Sequence, residues 1–245
     1  MKFAVQMYSL REQCKTPEQL LAALKRVREI GYDGVEFAGY QGLSAAALKQ
    51  ACAREGLAIA GTHNGTADLF EKLPETIAFH KALGCPNIVL AGAPTGTEQE
   101  VAWLTEHLAA AAGEAQQAGL RVLYHNHTHE FQTVGGVYPL DRIKEACLLE
   151  LDTYWAFHAG IDTPRYLREN SGRIGLIHLK DGRGGTPCAI GEGENDIPAI
   201  LRAARETGAE WVIVENDNPE PDGFSDISRS IQYLKTDERV KEALA

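Results

Sequence analysis

Short runs of apolar, β-branched and aromatic residues alternate along the chain with longer stretches in which apolar positions recur every three or four residues. The first pattern fits strands; the second fits helices with one face packed against a sheet. The predicted strands are Phe3 to Tyr8, Gly34 to Ala38, Ala58 to His63, Asn87 to Gly92, Arg121 to Asn126, Leu148 to Tyr154, Gly175 to Asp181 and Trp211 to Asp217. Helical segments such as PEQLLAALKRVREIG and TEQEVAWLTEHLAAAAGEAQQAG lie between them. Six connections carry a glycine ahead of the next strand, at Gly31, Gly56, Gly84, Gly119, Gly172 and Gly208. Each suits the left-handed residue that ends a helix. Repeated βα alternation builds parallel sheets. Eight units predict a single α/β domain over residues 1–245, a (β/α)8 TIM barrel, with an open doubly wound sheet as the alternative.

Length agrees, since 245 residues is close to the roughly 250 typical of this barrel. An apolar fraction of 44% and a charged fraction of 24%, with no long apolar span, predict a folded cytoplasmic protein without a membrane partner. The opening MKFAVQMYSLREQ is broken by Gln6 and lacks the apolar core of a secretory signal. Five scattered cysteines without a CxxC pair argue against a disulfide framework or structural zinc. A net charge of −10 disfavours nucleic acid as a partner and leaves small polar molecules.

In a parallel barrel the active site forms at the carboxyl ends of the strands, so polar residues there need an explanation. Gln6, Tyr8, Glu36, His63, His125, His127, Glu130, Asp152, Trp155, His178, Lys180 and Glu215 all fall at or just beyond predicted strand ends. Carboxylates converging on one mouth repel unless protons or a cation neutralise them. Glu130, Asp152, His178 and Glu215 are therefore candidate ligands of one divalent metal ion, with manganese preferred and magnesium, cobalt or zinc as alternatives. Such an ion suits proton transfer next to a carbonyl through a metal-bound enediolate. His127, Glu130 and Glu215 are candidate acid and base groups. Lys180, whose ammonium could donate to or hold a substrate oxygen, alternates with His178 and is expected on the same side of its strand, the competing role being a salt bridge to Asp181 or a neighbouring carboxylate. Gln6, Tyr8, Glu36, His63, His125 and Trp155 are candidate substrate contacts, Trp155 as a flat wall against a sugar face, with core packing as its alternative role.

The motifs QMYSLR, GYDGVEFAGYQG, YHNHTHEF, LELDTYW, IHLKDG, AIGEGENDIPAI and VIVEND resemble those of the sugar phosphate isomerase/epimerase family with a xylose isomerase-like TIM barrel, over nearly the whole chain. The resemblance implies one divalent cation held by Glu, Asp, His and Glu and a sugar or polyol-derived substrate. Asp152, His178 and Glu215 match the family pattern; Glu130 lies beyond its strand, leaving His125 or His127 as alternatives. Trp155 stands where related epimerases and the apurinic endonucleases of this barrel type tend to have histidine, and the fourth strand ends in AGAP without a ligand, so a three-metal nuclease site is not expected. The expected activity is a sugar isomerase or epimerase. An inosose-type dehydratase or other keto-sugar lyase is the first alternative, and a non-catalytic sugar-binding barrel is the second. Barrels of this group often form homo-oligomers, but no stripe in the chain marks an interface.

Overall fold

The structure, a computed structural model, describes residues 1–245. Its strands are β1 (Lys2–Gln6), β2 (Gly34–Phe37), β3 (Ala58–Asn64), β4 (Asn87–Leu90), β5 (Arg121–His125), β6 (Leu148–Asp152), β7 (Ile174–Leu179), β8 (Asp181–Arg183), β9 (Thr186–Cys188) and β10 (Trp211–Val214). β1 to β7 and β10 pair in parallel in chain order and close when β1 pairs with β10, Lys2 opposite Trp211 through Val5 opposite Val214. The closed ring bears out the barrel over the open sheet. β8 and β9 form a small antiparallel hairpin after β7 that the sequence pattern does not announce. No helix is long and apolar enough to cross a membrane.

Helix stops follow the glycine reading at five of the six positions: Gly31, Gly56, Gly84, Gly119 and Gly208 all have positive φ. Gly172 does not; the helix Thr163–Glu169 ends at Asn170, with Gly172 in the turn beyond. Helix starts are equally local. Thr16 and Thr97 each form a capping box, and Ser44, Asp162 and Asp196 accept from the third residue of the following helix.

Strand alternation sorts side chains into two cores. Residues pointing outward join the helices in one large apolar cluster. Inward-pointing Ala4, Ala60, Val89, Leu123, Leu176 and Ile213 pack with Trp211 as a separate cluster in the lower barrel. Two residues further along four of these strands, the same inward register becomes polar: Ala4 leads to Gln6, Leu123 to His125, Leu176 to His178 and Ile213 to Glu215. Burying a Leu or Ile yields roughly 1.5–3 kcal/mol, whereas an unpaired buried carboxylate costs several kcal/mol. The polar layer therefore has to be internally partnered.

Asp226, in the helix Gly223–Thr236, holds the end of β10. Its Oδ2 accepts from Asn216 Nδ2 at 2.7 Å, and Asn216 N donates to Ser9 Oγ at 3.0 Å. Asp226 Oδ1 has no partner, and burial pushes its carboxyl up to about 6. A folded-state value above the unfolded one means stability is fully present below the unfolded pKa and is lost as pH rises through about 6. Asp226→Asn should therefore raise Tm at pH 8 by about 2–4 °C, equivalent to about 1 kcal/mol, with little change at pH 4. Equal shifts at both pH values in a melting series would contradict this.

Candidate active site

The polar layer sits at the carboxyl end of the barrel, beneath a cavity of about 620 Å³. Tyr8, His63, His125, His127, Trp155 and Glu215 line the cavity, together with Asp217. Its bottom is an upper set of donor atoms from His125, Asp152, His178 and Glu215, all lying within 4.8 Å of one another. Three members are the sequence-predicted Asp152, His178 and Glu215.

The fourth is not Glu130. Beyond β5 the chain turns into a short 3-10 helix, His129–Phe131, that buries Glu130 against its own strand. One oxygen of Glu130 accepts from the Tyr124 hydroxyl at 2.7 Å and the other from the backbone N–H of His127 at 2.8 Å. Its only ligand-like neighbours are His127 and His129. His125, the last residue of β5, reaches the set instead, with Nε2 3.9 Å from Asp152 Oδ2.

Asp152 divides its labour between two oxygens. Oδ1 caps the helix Thr153–His158, accepting from the backbones of Tyr154 and Trp155 at 3.0 and 2.9 Å. Oδ2 is buried without a hydrogen bond; Lys180 Nζ is 3.0 Å away, an ion-pair contact lacking hydrogen-bond geometry. The same ammonium lies 2.7 Å from Glu215 Oε2 and 2.7 Å from Asp217 Oδ2. Lys180 is 1% exposed and lies below the cavity wall. Its partners are these three carboxylates and not Asp181, which instead accepts backbone N–H groups from Gly182, Gly191, Gly193 and Asn195 and so fixes the loop before the helix Ile197–Glu206.

Below the upper set lies a floor. Glu36 Oε2 is 2.6 Å from His178 Nε2 and accepts from Gln6 Nε2 at 2.9 Å. Glu150 Oε2 is 2.7 Å from His63 Nε2, 3.2 Å from His125 Nδ1 and 3.2 Å from His178 Nε2. Gln6 and Glu36 are fully buried here, so neither lines the cavity as a substrate contact would. A glycine at 61 is required by this layer: a Cβ there would meet Glu36 Oε1. Glu150 escapes a search confined to strand ends, because it lies two residues before the end of β6, in the same inward register as Asp152.

Charge is unbalanced. Burial, then the proximity of Glu150, pushes Glu36 up to about 7, and burial does the same to Glu150. Burial opposes the charged form of His178, but Glu150, Glu215 and Glu36 together hold it well above the usual imidazole range. Burial likewise disfavours ionised Glu215, yet Lys180 and His178 hold it well below the carboxylate range. Burial lowers His127, leaving a neutral imidazole on the cavity wall. The layer thus attracts positive charge at its centre and presents a neutral base at its side.

A sugar phosphate isomerase/epimerase from Parabacteroides distasonis superposes with a TM-score of 0.85 at 22% identity, covering 98% of this chain and 100% of that one. An L-ribulose 3-epimerase follows at 0.80 and 17%, covering 99% and 95%. The probable 3-DHS dehydratase from Bacillus anthracis gives 0.76 and 15%, covering 97% and 100%. At these identities the likeness is one of fold. No protein of curated function matches the chain in sequence. The family model described as xylose isomerase-like TIM barrel matches residues 24–236, and the chain belongs to that family.

Proposed function

We propose that the chain is an isomerase or epimerase of an uncharged sugar or keto-sugar, working with one divalent metal ion at His125, Asp152, His178 and Glu215. The observation that carries this reading is the convergence of those four ligand atoms at the base of the cavity, with Asp152 Oδ2 buried and lacking a hydrogen bond. The residues fit a metal. Two imidazoles and two carboxylates form a mixed nitrogen and oxygen set suited to manganese, cobalt or zinc. When bound, the ion would polarise a substrate carbonyl and stabilise the negative charge developing on its oxygen.

The chain's own residues supply the rest. His127, neutral and without a ring hydrogen bond to protein, is placed to take a proton from the carbon beside the carbonyl. Glu215, ionised and three strands away round the ring, reaches the cavity from another wall. Trp155 offers an apolar face to the cavity. Tyr8 stands exposed at the rim, 44% accessible.

The lining contains no lysine or arginine side chain, whereas Glu215 and Asp217 are both present. A phosphate would find no cationic side chain on the cavity wall to receive it, so free sugars should exceed their phosphorylated counterparts in kcat/KM by about tenfold or more. The test is solvent-deuterium incorporation into free and phosphorylated keto-sugars after metal loading. Exchange with retention of mass apart from the label supports isomerisation or epimerisation. Loss of water identifies a dehydratase, for which the same first proton transfer serves. No bound metal and no exchange would leave a sugar-binding barrel.

A further inference from the structure

We infer that Glu36 and Glu150, on the floor beneath the candidate metal centre, are positioning residues: their carboxylates hold ring protons of His178 and His125 downward, so that His178 Nδ1 and His125 Nε2 are the nitrogens left to a metal ion in the upper set. The inference rests on the metal reading above.

Each of these rings has one nitrogen on either side. His178 directs Nε2 to Glu36 at 2.6 Å and Nδ1 to Glu215 at 3.2 Å. His125 directs Nδ1 to Glu150 at 3.2 Å and Nε2 toward Asp152 at 3.9 Å. An imidazole that ligates a metal keeps one proton, on the nitrogen away from the ion, and the side of greater need for a donor takes it. Glu215 and Asp152 already share the Lys180 ammonium. The floor carboxylates have no lysine or arginine; their side-chain donors are Gln6 Nε2 and the rings of His63, His125 and His178. With every floor-facing nitrogen protonated, Glu36 Oε2 and Glu150 Oε2 are each satisfied. A divalent cation that takes the place of a proton at His178 Nδ1 then meets acceptors all round the upper side, with one ammonium at its edge. A carboxylate behind a ligating imidazole fixes both its tautomer and its angle and raises its basicity.

The floor also explains its own composition. His63 is stacked on His178 with ring centroids 5.1 Å apart and planes 9° from parallel, and its Nε2 reaches Glu150 at 2.7 Å. It thus braces the ring of His178 from the side while sharing the carboxylate that holds His125.

Two measurements test this. Cobalt(II) titration with visible spectroscopy should show Glu150→Gln and Glu36→Gln each binding about 10–100-fold more weakly than the native chain, with a shifted d–d band and unchanged far-UV circular dichroism. Variants that bind cobalt with native affinity and spectrum would overturn the inference. Ring nitrogen-15 NMR of the native chain, metal-free and zinc-loaded, should find protons on His63 Nε2, His125 Nδ1 and His178 Nε2 in both states. Unprotonated floor-facing nitrogens would overturn it even if the variants failed to fold. If the native chain bound neither ion, the metal reading would fall, while the metal-free NMR result would still decide whether the floor sets the tautomers.

Discussion

Asp152→Asn should abolish metal-dependent turnover while leaving the barrel folded, because the substitution separates the two jobs of this side chain. The amide oxygen can keep capping the helix Thr153–His158 through Tyr154 and Trp155. The charge at Oδ2, facing Lys180 and the other ligand atoms, disappears. A loss of about a thousandfold in deuterium exchange is expected, the upper scale for removing one preorganised electrostatic contact, with little change in Tm. Asp152→Ala removes charge and cap together and should additionally lower Tm by roughly 2–4 °C, for a cap worth about 1 kcal/mol. Metal content by mass spectrometry and exchange by NMR check both. Full metal-dependent activity in Asp152→Asn would show that the ligand assignment is wrong.

The distinction between these variants is only half legible in the sequence. Eight strands follow from β-type runs set against helical periodicity, though their ends are displaced, β6 stopping at Asp152 and not Tyr154 and β10 at Val214 and not Asp217; Asp152, His178 and Glu215 stand at or within a residue of the observed ends in LELDTYW, IHLKDG and VIVEND. Inward orientation follows from period two, but at the strand tips alone that rule stops one step short. Carried back along LLELD, it puts Glu150 under Asp152. The role of Glu36 is harder to see. GVEF is buried on both faces, so alternation gives its direction but not its depth below the mouth.

Glu130 departs from expectation for a different reason. A residue several positions past a strand end takes its direction from the local turn, and here the 3-10 turn His129–Phe131 folds its carboxylate back onto Tyr124 and the His127 backbone. No periodic rule reaches across such a turn. In the ligand set we propose, His125 in place of Glu130 exchanges an anionic oxygen for an imidazole nitrogen. A carboxyl group stands one layer lower instead, Glu150 behind the histidine.

Lys180→Met should produce the largest stability change at this site. The ammonium contacts Asp152, Glu215 and Asp217 at 2.7–3.0 Å, and the first two are buried. Lys180 Nζ also faces the Trp155 ring, 5.2 Å from the centroid. Methionine keeps the apolar bulk but leaves the carboxylates without their shared cation. Breaking a buried pair by removing one partner costs about 3–5 kcal/mol, which for a chain of this size is a fall in Tm of roughly 6–20 °C. The fall should be largest in metal-free protein and should shrink when saturating manganese supplies positive charge to Asp152 and Glu215. Turnover should remain impaired in the loaded variant, because Glu215 would lose the contact that holds its carboxylate ionised and in place. Melting curves with and without manganese separate the outcomes. A metal-free Lys180→Met that melts with the native chain would mean that the three carboxylates do not depend on the lysine, and that their neutralisation comes from protons instead.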